Sequence, residues 1–202
     1  MRVATYRTID LGLGDTAEAE IVVLRSRFLA RAGRVEDEAS ARALIAHVRA
    51  THHDARHHCT AFVIGPEAAL RRSNDDGEPS GTAGRPMLEV ITGREVSDVV
   101  VVVTRWFGGT LLGTGGLARA YSDATGAALD EAGVRERRLW QRARVTVPVI
   151  EVGAMESRLR RDTDVIDVAY GPDRVSYEVA AADLAVLDRL PFERLEPVWR
   201  DA

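Results

Sequence analysis

The chain has 202 residues, 46% of them hydrophobic, which suits one large domain or two small ones and excludes a disordered polymer. Its net charge is −4, and all 27 basic residues are arginine. The absence of lysine excludes a Walker A phosphate loop, Schiff-base chemistry and a Ser–Lys nucleophile. The single cysteine, Cys59, excludes an internal disulfide and any multi-cysteine zinc module.

No stretch is apolar enough over 18–20 residues to span a bilayer, and the N-terminus lacks the order of a secretory signal, so a cytoplasmic location is expected. Residues 1–20 read as a leader. IVVLRSRFLARAGRV (21–35) reads as extended structure, rich in apolar and β-branched residues. DEASARALIAHVRATHH follows as a helix capped by Asp37 or Ser40, with Ala41, Leu44, Ile45 and Val48 on one face. CTAFVIG is a strand closed by Gly65-Pro66, and Ala68 to Arg72 returns beside it as a hairpin. Residues 71–86, RRSNDDGEPSGTAGRP, form a long turn-rich loop, and PMLEVI gives one or two helical turns with Pro86 near the start.

SDVVVVVTRWF (97–107) is the strongest strand. Five consecutive valines cannot alternate polar and apolar faces, so both of its faces are expected to be buried at a sheet centre. After a glycine loop, a helix is predicted to be capped by Thr114 and to stop near Gly133. Its packed face is Leu117, Ala120, Tyr121, Ala124, Ala127, Ala128 and Ala132. The composition shift at VRERRLWQR (134–142) marks a junction. Beyond it, strand RARVTVPV, helix EVGAMESRLRR, strand DVIDVAYG, strand RVSYEVA, helix ADLAVLDRL and strand FERLEPVW make a βαββαβ order, the split-βαβ pattern of a ferredoxin-like domain. The expected division is therefore 1–138 and 139–202. Arginines number 18 against 19 carboxylates in the first part and 9 against 12 in the second, so neither attracts polyanions by bulk charge.

Three segments have the composition for chemistry. All five histidines lie between His47 and His58. His52 and His57 make a possible polar site, without a compelling acidic third ligand for a metal. The acidic loop offers Asp75, Asp76 and Glu78 beside Ser80, Gly81, Thr82 and Arg85. It could hold a divalent ion, present backbone amides to an anion, or be a solvated turn. TRWFGGTLLGTGGLAR places Arg105 and Trp106 at the end of the strand, then Gly108, Gly109, Gly113, Gly115 and Gly116, then Arg119 on a helix. Glycine permits close backbone approach, a helix N-terminus favours anions, and arginine forks bind phosphate. The spacing from strand to Gly113 is too long for a dinucleotide fingerprint. No nucleophile–base–orienter set is evident, so no catalytic residue is assigned, and no cofactor and no metal is expected.

The run SRF (26–28), H-x-D-A-x-H-x-C-x-A from His52 to Ala61, DDGEPSGTAGRP (75–86) and VVVVVTRWFGG-x-x-LG-x-GGL-x-RAYSDA (99–124) resembles the IMPACT family, in particular its bacterial YigZ-type branch. The resemblance covers about residues 18–132, and 140–202 resembles the small domain that bacterial members append. It implies an α+β protein. The N-terminal domain would resemble domain 2 of ribosomal protein S5, with helices on one face of a sheet. The C-terminal domain would resemble the ferredoxin-like domain V of elongation factor G. Eukaryotic members regulate translation during amino-acid starvation, so the resemblance implies a non-enzymatic regulator that contacts the ribosome, RNA or a translation protein. Arg105, Arg85 and Arg119 would meet phosphates. The competing expectation is a phosphate-ligand or nucleotide-dependent enzyme using the acidic loop with a divalent metal; a plain protein-interaction module is a third. His53, His58 and Trp106 depart from the family's usual proline, asparagine and tyrosine. Oligomeric state stays open.

Overall fold

The computed structural model describes residues 4–188 and 190–202, which divide into two compact units, Tyr6–Glu136 and the C-terminal Arg137–Ala202 joined by the N-terminal residues up to Thr5. Among the described residues, no helix is long and apolar enough to cross a membrane. The predicted leader contains a strand, β1 (Thr5–Ile9). The extended region that follows is a hairpin, β2 (Thr16–Val23) and β3 (Ser26–Arg34), rather than one strand. Its turn is Leu24-Arg25, with φ of 45° and 64°. Such turns ordinarily carry Asn or Gly, so this one left no mark in the sequence.

Helix α1 (Glu38–Thr51) starts where predicted. The Asp37 side chain accepts from Ser40 N at 2.7 Å, and the Ser40 hydroxyl returns to the Asp37 backbone N–H, a reciprocal capping box. Next come β4 (His57–Ile64), its hairpin partner β5 (Leu70–Asn74), α2 (Gly84–Gly93), β6 (Val99–Trp106) and α3 (Gly113–Ala132). The sheet order is β2-β3-β6-β4-β5, with every neighbour antiparallel. The valine run is thus the central strand, as its composition requires. Val99, Val101 and Val103 enter one core with α2 and α3, while Val100 and Val102 enter a second core with Ala41 and Val48 of α1. Helices therefore lie on both faces of this sheet, which corrects the expectation of one. Five valines in register need an apolar partner on each side, and a single helical layer would leave alternate valines in water.

Two helix details also differ. Thr114 does not cap α3: the N-cap is Leu112, with no side-chain hydrogen bond. The buried face contains Thr125 and Leu129, whereas Ala127 is only partly buried.

In the C-terminal unit, β7 (Val134–Pro148) runs straight through the segment read as a junction, because β10 (Phe192–Asp201) pairs along it as far as Asp201↔Arg137. Between them lie α4 (Val152–Asp162), β8 (Asp164–Tyr170) and β9 (Arg174–Ala181). β7 pairs with β10 and β9, and β9 with β8, each antiparallel, and β1 joins the same five-stranded sheet beside β7. Ala143, Val145, Val147, Val175, Tyr177 and Val179 point to a core closed by Leu159, Leu184 and Leu187. The second predicted helix is only a 3₁₀ turn, Leu184–Leu187. Pro191 biases Leu190 away from helical backbone, so few residues remain after the Asp183 cap to propagate a helix. The chain is an α+β protein.

Candidate functional site

The last residues of β6 carry side chains to opposite faces of the sheet. Arg105 follows Val99, Val101 and Val103 into the α3 side and is only 5% exposed. Its Nη1 donates to Glu78 Oε1 at 2.6 Å, and the Tyr121 hydroxyl donates to the same oxygen at 2.8 Å. Arg105 Nη2 reaches Ser26 Oγ at 3.4 Å, and that oxygen also accepts from Gly108 N at 3.1 Å. Phe28 lies under the guanidinium, 5.3 Å away, and meets Tyr121 edge-on at 5.2 Å. The acidic loop, the glycine loop, β3 and α3 are thereby tied to one buried ion pair. Arg105 is not an exposed phosphate-binding cation: its charge is matched by a carboxylate 27 positions earlier in the chain.

The three loop carboxylates face three different ways. Asp75 accepts from Gly81 N and Gly84 N at 2.8 Å and from Ala83 N at 3.0 Å, which caps the start of α2. Burial pushes the Asp75 carboxyl up, but the amides of Gly81, Gly84 and Ala83 outweigh it and hold the group below the usual carboxylate range. Asp76 pairs with Arg49 at 2.6 Å and accepts from His58 N at 2.7 Å. Glu78 is buried on Arg105. Among the described residues no three histidine, cysteine or acidic side chains converge on a point that could hold a metal ion.

Asp75 gives a measurable consequence. Asp75→Asn is expected to lower stability by about 1 kcal/mol at pH 7, because an NH₂ replaces one of the two oxygens that accept from Gly81, Ala83 and Gly84 N–H groups and one hydrogen bond is lost. Because the folded-state carboxyl titrates below its unfolded value of about 3.9, this stabilisation is complete above that pH and is lost as pH falls toward the folded value. Urea midpoints of the two proteins should therefore converge on acidification. A gap that widens in acid would contradict the assignment.

Three of the histidines, His52, His57 and His58, make contacts within the chain. His57 Nδ1 lies 2.8 Å from the Asp76 carbonyl, and His58 Nε2 lies 3.1 Å from the His52 carbonyl. Burial lowers the His58 pKa and so keeps that ring neutral. His52 packs edge-on against Trp106 at 5.5 Å. Trp106, on the α1 side of the sheet, donates from Nε1 to Asp54 at 2.8 Å and lies 4.3 Å beneath the Arg27 guanidinium. Cys59 is fully buried and burial pushes its thiol up, so it is no nucleophile.

On the α3 side, Arg105 and Glu78 floor an open cleft of about 400 Å³. Phe107, Leu111, Leu112 and Leu117 form its apolar walls, with Pro79, His57 and Arg56 on the rim. Phe107 is 47% and Leu111 85% exposed. Gly113 and Thr114 also line the cleft at the start of α3, whose first turn has neither a capping side chain nor a carboxylate. Gly109, Gly115 and Gly116 lie in the same loop and first turn, Gly109 and Gly115 exposed and Gly116 partly so. Ser80 and Gly81 are exposed at the tip of the acidic loop, whereas the Thr82 hydroxyl turns back to the Pro79 carbonyl at 2.6 Å. Arg85 is exposed and pairs with Glu89 one turn on. Arg119 is exposed on α3 and, like Arg56, has no carboxylate partner among the described residues. Reading for polar chemistry missed Phe107, Leu111, Ser26 and Tyr121. The available signal was an apolar pair, Leu111-Leu112, inside an otherwise glycine-rich turn.

Fold and site together define an α+β protein of two compact units, the first presenting a glycine-rich loop and an acidic loop on either side of a buried arginine. Residues 24–129 match the Impact N-terminal domain. The chain is 40% identical over 164 residues to the IMPACT family member YvyE of Bacillus subtilis, covering 81% of this chain and 76% of that one. It is 45% identical over 109 residues to the IMPACT family member YigZ of Escherichia coli, covering 53% of each. A crystal structure of a hypothetical protein superposes with a TM-score of 0.65 at 30% identity, covering 96% of this chain and 98% of that one. The chain belongs to the IMPACT family.

Proposed function

We propose that this protein is a binding factor of the translation apparatus rather than an enzyme, and that it docks through the cleft between its acidic and glycine loops. The observation that carries this reading is the state of the site's side chains. Asp75, Asp76, Glu78 and Arg105 are committed to contacts within the chain, while Phe107 and Leu111 stand exposed beside an uncapped helix start. Buried, mutually paired charges position loops, whereas exposed apolar side chains on a polar-rimmed cleft contact partners. Arg56 and Arg119 supply the free cations for a ribosomal partner, whether RNA or protein.

Resemblance to translation regulators gives the setting, in the cytoplasm and away from membranes. The same resemblance carries the domain readings proposed here. Residues 1–138 are taken as an S5 domain 2-like fold, on the strength of the family motifs. Residues 139–202 are taken as a ferredoxin-like fold akin to domain V of elongation factor G. Its run of pairings β10-β7-β9-β8 with a helix between the first two strands in sequence supports that reading.

The test is sedimentation of the full chain from lysate through a sucrose gradient. Wild type is expected to migrate with ribosomal particles at low salt. Leu111→Asp, at an exposed position that costs little stability, should leave it at the top of the gradient with an unchanged circular dichroism spectrum. Wild type remaining at the top at low salt would overturn the proposal.

A further inference from the structure

The opposite face of the same sheet carries a second concavity, unrelated to the glycine loop. The single helix α1 covers only part of that face, and an open groove of about 420 Å³ remains between α1 and the edge strand β5. Arg42 and Arg49 stand on its helical wall. Seven residues apart, they share one helix face about 10 Å from each other along the axis. Arg72 and Asn74 stand on the strand wall. Pairing of β5 with β4 sets Arg72 opposite Phe62 and Asn74 opposite Thr60, and all four line the groove.

The charges on these walls are available. Arg42 pairs with Glu38, but its side chain is 70% exposed and such a surface pair exchanges readily for another anion, while Arg49, 45% exposed, spends only Nη2 on Asp76 and keeps its other N–H groups for a second anion. Among the described residues the Arg72 guanidinium donates to the neighbouring Arg71 carbonyl and has no carboxylate partner. Asn74 uses its oxygen to accept from Asp76 N, which leaves its NH₂ free to donate. Every free donor in the groove therefore suits anionic oxygen. The floor offers no base platform, because Phe62 is only 5% exposed.

We propose that this groove holds the sugar–phosphate backbone of single-stranded RNA without reading its bases. Three guanidinium forks on two facing walls suit a chain of repeated negative charge lying along the groove. An acidic peptide added to the free edge of β5 would be bound from one wall only. The site is independent of the cleft on the α3 side, so either assignment can fail alone.

The experiment is fluorescence anisotropy of a labelled mixed-sequence RNA 10-mer with the full chain. Three phosphate contacts predict a salt slope near −2, so affinity should fall roughly twentyfold between 50 and 200 mM salt. Arg42→Glu and Arg72→Glu, both on exposed side chains, should each weaken binding about tenfold or more and flatten the slope. Arg42→Gln and Arg72→Gln serve as milder variants should a reversal disturb folding. Arg160→Gln, on the exposed face of α4 and outside both the groove and the cleft, should leave RNA affinity unchanged. No RNA binding at 50 mM salt would overturn the proposal, as would binding indifferent to substitution at Arg42 and Arg72. So would capture of a poly-glutamate peptide in place of RNA.

Discussion

Arg105→Met is expected to destabilise the protein by about 3–5 kcal/mol, the range for removing one partner of a buried ion pair. The guanidinium and the Glu78 carboxylate are 6% and 4% exposed, so the remaining carboxylate would be left without water and without its cation. The Tyr121 hydroxyl would still donate to it, but one neutral donor does not replace a guanidinium. Glu78→Leu should cost a comparable amount for the converse reason. The combined change Arg105→Met, Glu78→Leu and Tyr121→Phe removes all three polar groups together and should recover most of the loss, because apolar replacement of a whole buried network is often neutral. Chemical denaturation of these variants measures the coupling directly. The loss should also persist at high salt, since buried pairs are poorly screened. Arg105→Met costing under 1 kcal/mol would show that the pair does not hold the two loops together. For the same reason Arg105→Glu is a poor probe of partner binding. It sets two carboxylates against each other in a buried place and would test folding instead.

The elements legible in the sequence were those fixed by local chemistry. The five valines of β6 announced a strand buried on both faces, and Asp37 with Ser40 announced the start of α1. The features that escaped depend on partners distant in the chain or on atypical residues. Leu24 and Arg25 adopt left-handed backbone with none of the usual turn residues, so the β2–β3 hairpin read as one strand. The segment 182–190 has helical spacing but is cut short by Pro191. Composition picked out the acidic and glycine loops and could not show how they are joined. The link from Glu78 to Arg105 to Ser26 spans 27 and 79 positions, and nothing local to any of the three residues specifies it. An arginine flanked by glycines therefore read as a phosphate ligand. The structure makes it the internal cation that sets the geometry of both loops.

Gly108→Ala should be nearly as damaging, for a reason of space instead of charge. A Cβ at this position would lie 2.1 Å from the Arg25 carbonyl carbon, 2.3 Å from its oxygen and 2.4 Å from Ser26 N. All three are backbone atoms of a tight turn that already holds Leu24 and Arg25 at positive φ, so no side-chain rotation relieves the overlap. Relief requires the glycine loop to move off β3, which breaks the bond from Gly108 N to Ser26 Oγ and disturbs the oxygen beside Arg105. Overpacking alone costs about 1–3 kcal/mol, and coupling to the ion pair should place this variant at or above the top of that range. Gly115→Ala is the internal control, because a Cβ there meets nothing within 4 Å and the residue lies in the first turn of α3. That change should be neutral or stabilise by up to about 1 kcal/mol. Two glycines of one loop, seven residues apart, should thus shift the urea midpoint in opposite directions. Equal tolerance at both positions would mean that the glycine loop does not rest on the β2–β3 turn, and the cleft would lose the support that sets Phe107 and Leu111 at its wall.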